Sequence, residues 1–263
     1  MPSFTGNPFS NFYKRILQIN QSSNTAPDAT VRNVQGGDGT ATALSLSDDA
    51  LLVHPQNDNT TATLKVSQAD GDSILAVDTT NSVVKVGSSQ VSATTQLKEF
   101  TTHGMVPVAG THHPLIANPS TYFATTLSEE ALGTGTDPST SYDMSSGADC
   151  HQWVGYIWLL PYAITVDSVQ VLCSQASATT DDINFHIMSY VIDTGNGATS
   201  GDLSGGTVVA DGGAITVDRT LIGYQSMTIQ SANVAAGRAI MAFIESDGTG
   251  TTSVNMQLKY HIQ

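Results

Sequence analysis

Apolar and polar residues alternate strictly over the last stretch of this chain. Val254, Met256, Leu258, Tyr260 and Ile262 fall on one side of an extended backbone, and Asn255, Gln257, Lys259 and His261 on the other. A period of two suits a strand lying half-buried on a core and cannot lay an apolar stripe along a helix. Shorter versions recur upstream. Leu44 and Leu46 alternate with Ser45 and Ser47, Ala62, Leu64 and Val66 share one side, and Ile183, Phe185 and Ile187 share another. Gly, Asp, Asn and Pro separate these segments, as they separate short strands. The reading is an all-β chain. Its 33 Thr, 28 Ser and 23 Gly, with only 12% charged residues, leave too little Leu, Glu and Lys for a helical bundle.

The chain divides by pattern into four parts. Residues 1–40 read as an attachment segment and linker. Within it Phe9, Phe12, Tyr13, Ile16, Leu17 and Ile19 recur at helical spacing, with Lys14, Arg15 and Gln18 opposite, so the spacing predicts an amphipathic helix capped by Ser10. Three turns of helix are marginal alone. The helix must lie on its own chain or dock on another protein, and the aromatic bulk at this end favours docking. Residues 20–40 are polar and turn-rich and read as an extended linker.

Residues 41–90 read as a short β-meander, with Asp70-Gly71 supplying a hairpin turn. Its strands carry few bulky side chains, and about fifty such residues bury little apolar surface alone. Copies wrapping around one another would stabilise it. Residues 91–120 have no clean period and read as a hinge. Residues 121–263 read as a jelly-roll-like β-sandwich. There Pro161 divides an overlong apolar stretch, and the alternation slips at Asp167-Ser168 as a bulge would make it.

The formal charge of −14 argues against a nucleic-acid partner, which needs clustered Lys and Arg. Residues 1–99 hold 6 basic and 9 acidic groups, and residues 100–263 hold 3 and 14, so the acidity is distal. The longest apolar run, Val154–Ala163, is too short to span a bilayer and contains Gly155 and Pro161. MPSFTGNPFSN is not a secretory signal, so synthesis in the cytoplasm is expected. There Cys150 and Cys173 read as free thiols.

The run NPFSNFYKRILQINQ, then ATVRNVQGGDGT, ALSLSDDALLV and LKVSQADGDSILAVDTTNSVVKVG, resembles the attachment and shaft regions of trimeric tailed-bacteriophage appendage proteins over residues 7–90. The ILAVDTTNSVVKVG stretch is its most specific part, and residues 121–263 resemble phage fibre heads only in style. The resemblance implies a homotrimeric virion protein, a short fibre or appendage. It would dock on a portal, neck, tail or capsid protein through Phe9, Phe12, Tyr13, Lys14, Arg15, Ile16 and Ile19. The shaft is a single short meander, which leaves a capsid decoration protein as an alternative. A receptor- or glycan-binding head is another, with a host surface sugar as partner.

Candidate chemistry is sparse, and neither an enzyme nor a cofactor is expected. His112-His113, with His103, could ligate a metal on a threefold axis, but no Cys or carboxylate stands at ligand spacing, and no metal is assigned. Cys150 and His151 are adjacent, so on a strand they face opposite sides and cannot form a thiol–imidazole pair. Glu129-Glu130, Asp181-Asp182 and the Asp193/Asn196/Asp202 loop could bind calcium, yet none matches an EF-hand and all read better as solvated turns. Trp153, Tyr156, Trp158 and Tyr162 could stack a sugar but lie in an apolar stretch that reads as core.

Overall fold

A computed structural model of the chain describes residues 16–21, 27–87, 91–118, 131–144, 153–195, 197 and 199–263. The described elements are all strands, paired antiparallel, and the chain divides into two units between Ala93 and Thr94.

The first unit holds two four-stranded sheets, each in sequence order. One joins β1 (Leu17–Ile19), β2 (Arg32–Gly36), β3 (Ala41–Leu46) and β4 (Leu51–Val53). The expected linker over 20–40 is therefore partly sheet. Asn33 and Gln35 pair with β3, and the β2–β3 turn closes on Gly39 at φ +85°, a conformation glycine adopts without strain. The bidentate Arg32–Asp28 ion pair braces the entry to β2.

The second sheet joins β5 (Leu64–Ser67), β6 (Ser73–Asp78), β7 (Val83–Val86) and β8 (Val91–Ser92). Asp70-Gly71 turns β5 into β6 as the sequence predicts, with Gln68 N–H donating to Asp72 O. At the next turn the Asp78 carboxylate accepts from Asn81 N, Asn81 Nδ2 and Lys85 Nζ at 2.7–2.9 Å. Those donors, Lys85 foremost, hold its pKa down to about 2.

The second unit is a two-sheet sandwich, jelly-roll-like as expected. One sheet runs β16 (Gly223–Ser226), β12 (Ile164–Gln175), β20 (Thr252–Ile262), β9 (Thr95–Met105), with β18 (Asn233–Val234) also on β12. The other runs β10 (His113–Pro114), β19 (Arg238–Ser246), β13 (Asp181–Ile192), β14 (Leu203–Asp211), β17 (Thr228–Ile229). On its flanks β11 (Trp158–Leu159) pairs with β19 and β15 (Ile215–Val217) with β13.

The core between the sheets takes Val254, Met256, Leu258 and Tyr260 from β20 and Ile183, Phe185 and Ile187 from β13, the faces their alternation predicts. The slip at Asp167-Ser168 is a β-bulge: β12 shifts register against β20 between Val166 and Ser168.

The expected hinge is corrected here. Residues 91–120 are not a hinge, because β9 pairs with β20 from Thr95 to Met105. Its inward residues are Phe100, Thr102 and Met105, so a threonine stands where the apolar alternation should continue and hides the period. The 121–263 unit accordingly begins at Thr94. The seven-stranded sheet is also covered on its outer face. There Met188, Tyr190, Ala239, Met241 and Phe243 pack under Leu132, Met144, Trp153 and Tyr156. Burial on both faces explains why Ala239–Ile244 in β19 is continuously apolar.

Candidate assembly surface

In the sheet of residues 64–92 the register places seven apolar residues together on one face. Leu64 opposes Val77, which opposes Val84. Val66 opposes Leu75, which opposes Val86, which opposes Val91. Opposed residues in an antiparallel pair project to the same side, so seven Leu and Val side chains tile one face without a polar interruption. Leu64, Val66, Val84 and Val86 are 39–46% exposed, and the other three are half-buried only by their neighbours. The reverse face is mixed: it carries Lys65, Ala76, Asp78 and Lys85, with the Lys85–Asp78 pair at 2.7 Å, together with Ile74 and Val83.

The first sheet is similarly bare, with Leu17, Leu51 and Leu52 exposed. Among the described residues up to Ala93, only Val34 and Ala76 are fully buried apolar side chains. A contiguous uncovered apolar face of this kind is a candidate interaction surface.

Of the expected attachment residues, Phe9, Phe12, Tyr13, Lys14 and Arg15 lie outside the described residues. Ile16 is exposed, and the predicted helix does not reach Ile19: Leu17–Ile19 is β1, paired with Val34–Gly36. Three residues of LQI fit either period. The hydrogen-bonding edge of β2 selects the extended one.

Trp153 and Tyr156 are core, and Trp158 packs against Phe100 and Tyr260, so only Tyr162 of the four candidate sugar-stacking rings is exposed. His103 bonds Ser253 Oγ, and His113 Nε2 accepts from Val108 N–H. His112 is buried against His186, with ring centroids 5.0 Å apart, and its Nε2 bonds Gly135 O. The three candidate histidines therefore point to separate partners. Burial, and then His112, hold His186 below its ordinary pKa despite the opposing pull of Asp211, Asp137 and Glu245.

Asp193 accepts from Gly195 N and Thr199 Oγ1, and Asp202 from Met144 N, so both are turn and loop braces. Asp181 accepts from Gly250 N, and Asp182 from Thr216 Oγ1. Glu129, Glu130, Cys150, His151 and Asn196 lie outside the described residues. Cys173 is a buried free thiol, pushed up to about 11 by burial. Among the described residues no helix is long and apolar enough to cross a membrane.

No known family profile matches the chain, and neither does any curated protein. Among solved structures, it is similar to the N-terminal CBM22-1 and GH10 modules of endo-1,4-β-D-xylanase 10B of Clostridium thermocellum, complexed with xylohexaose. The identity is 13% and the TM-score 0.24, over 40% of this chain and 18% of that one, a likeness too loose to carry an argument about fold or ligand.

Proposed function

We propose that this chain is a structural virion protein of a tailed bacteriophage: a homotrimeric short fibre or appendage that docks through its N-terminal segment and presents the sandwich as its head. The observation that carries the reading is the uncovered apolar face of residues 64–92, in a unit with almost no buried apolar side chains of its own. Such a unit gains its missing burial from whatever is present whenever the chain folds, and sister copies always are. The threefold number and the virion rest on the resemblance of residues 7–90 to phage appendages. The acidic, Ser/Thr-rich head suits a solvent-projecting part.

Light scattering on the purified full-length protein tests the assembly. The mass expected is three times 27.5 kDa, and a monodisperse monomer at micromolar concentration overturns the reading. Deletion of residues 1–15, which leaves β1 in place, tests the docking. The truncated protein is expected to remain trimeric yet to be absent from purified particles, and incorporation at the wild-type level refutes the attachment role.

A further inference from the structure

We propose that Asp137, His186 and Asp211 form a site for a divalent cation of the Zn2+ class, which ties residues 131–142 to the outer face of the seven-stranded sheet. The inference concerns the head alone and does not depend on assembly.

The register delivers two of the donors. His186 on β13 stands directly opposite Asp211 on β14, so their side chains share the outer face. The third comes from the 131–142 segment, which is fixed to the sheet unit by a set of hydrogen bonds. Leu132 N donates to His112 O, His112 N to Gly133 O, Tyr190 Oη to Ser139 O and Gly206 N to Thr140 O, at 2.8–3.0 Å. Gly206 has no side chain because none fits: a Cβ there would stand 2.7 Å from Thr140 Cα.

The donor spacing is that of ligands sharing one ion. His186 Nε2 lies 3.5 Å from Asp137 Oδ1 and 3.3 Å from Asp211 Oδ1, and all three atoms fall within 4.8 Å of one another. Those contacts are longer than ordinary N–H···O bonds. Donors bound tetrahedrally to one ion at about 2.0–2.2 Å lie roughly 3.4 Å apart.

The His186 side chain is only 4% exposed and turns its Nε2 toward the two carboxylates, while its other ring nitrogen, Nδ1, has no hydrogen-bond partner. Gln230 Nε2 donates to the other oxygen of Asp211, which leaves Oδ1 for the site. Asp137 and Asp211 are partly exposed, giving an ion an entry and a position for water. Among the described residues no Lys or Arg is in ion-pair range of either. One imidazole with two carboxylates suits Zn2+. Calcium prefers oxygen throughout, and copper(I) prefers sulfur.

The test uses full-length protein stripped by chelator, titrated with Zn2+ by calorimetry and with Co2+ by visible absorption. One high-affinity Zn2+ per chain and an intense tetrahedral Co2+ spectrum are expected. Asp137→Asn and Asp211→Asn should each weaken binding at least tenfold and abolish that spectrum. Asp137 is on the rim, so Asp137→Asn should leave the melting temperature of the metal-free protein unchanged while removing the rise that Zn2+ gives the wild type. Failure to bind, or binding that both variants leave intact, overturns the site.

Discussion

Placing two glutamates on the bare sheet, Val66→Glu with Val86→Glu, separates folding from assembly. The two valines flank Leu75 across the strands and are 46% and 41% exposed in the isolated chain, so a carboxylate at either keeps its water before association. Burying the remaining two-fifths or so of Leu64, Val66, Val84 and Val86, at about 1.5–3 kcal/mol for a full side chain, is worth about 2–5 kcal/mol per copy. In an assembled face the variant loses half of that and places like charges together in a desolvated seam, at a cost of several kcal/mol per buried ion. A net loss of about 3 kcal/mol weakens association more than a hundredfold. Sedimentation of the variant at micromolar concentration should show a folded monomer. The control is Ile74→Glu, at a position 49% exposed on the reverse face, which should leave the oligomer intact. An oligomer of unchanged stability in the double variant, or dissociation by the control alone, refutes the assignment of the face.

Other expectations follow from the same geometry. Removing residues 254–263 takes out most of β20, the strand between β12 and β9, and should abolish soluble expression; a folded soluble product refutes its central role. Gly206→Ala should destabilise the head by about 1–3 kcal/mol, read by thermal melting, because the obstacle is the backbone at Thr140 and not a movable side chain end. Asp78, with a folded pKa of about 2 against an ordinary 3.8, stabilises its turn above pH 4 and loses that contribution as pH falls from about 4 to 2. Asp78→Asn should remove this part of the acid sensitivity of residues 64–92, followed by hydrogen exchange. In a Cys150→Ser background, the Cys173 thiol should react with a disulfide reagent only on unfolding, and rapid labelling of native protein would contradict its burial.

The strands most legible in the sequence, β20 and β13, are those whose inward positions are filled by large apolar side chains throughout. Legibility fails where polarity stops marking the surface. Ser45, Thr102, Ser246 and Thr252 are all buried, and Thr252 is satisfied by donating to Gly250 O at 2.8 Å. In a chain with so many Ser and Thr, an inward threonine looks like an outward one, and β9 resembles a hinge for that reason. The opposite error arises where both faces of a strand are covered, as in β19, whose period vanishes into an apolar run.

The Asp137, His186 and Asp211 cluster fails a third way. His186 sits inside DINFHIM, where an isolated histidine reads as core. The β13–β14 pairing beyond it shifts register between Ile187 and Met188, and once more between Ser189 and Val191. One uncounted residue moves a side chain to the other face, so no spacing rule could bring these donors together. Behind the bare face of residues 64–92 the β6–β7 pairing is regular, and β5 shifts against β6 only after Val66, so counting by two suffices there. What strict alternation encodes plainly is the apolar face of residues 64–92. The Asp137, His186 and Asp211 cluster is encoded through irregularities of register.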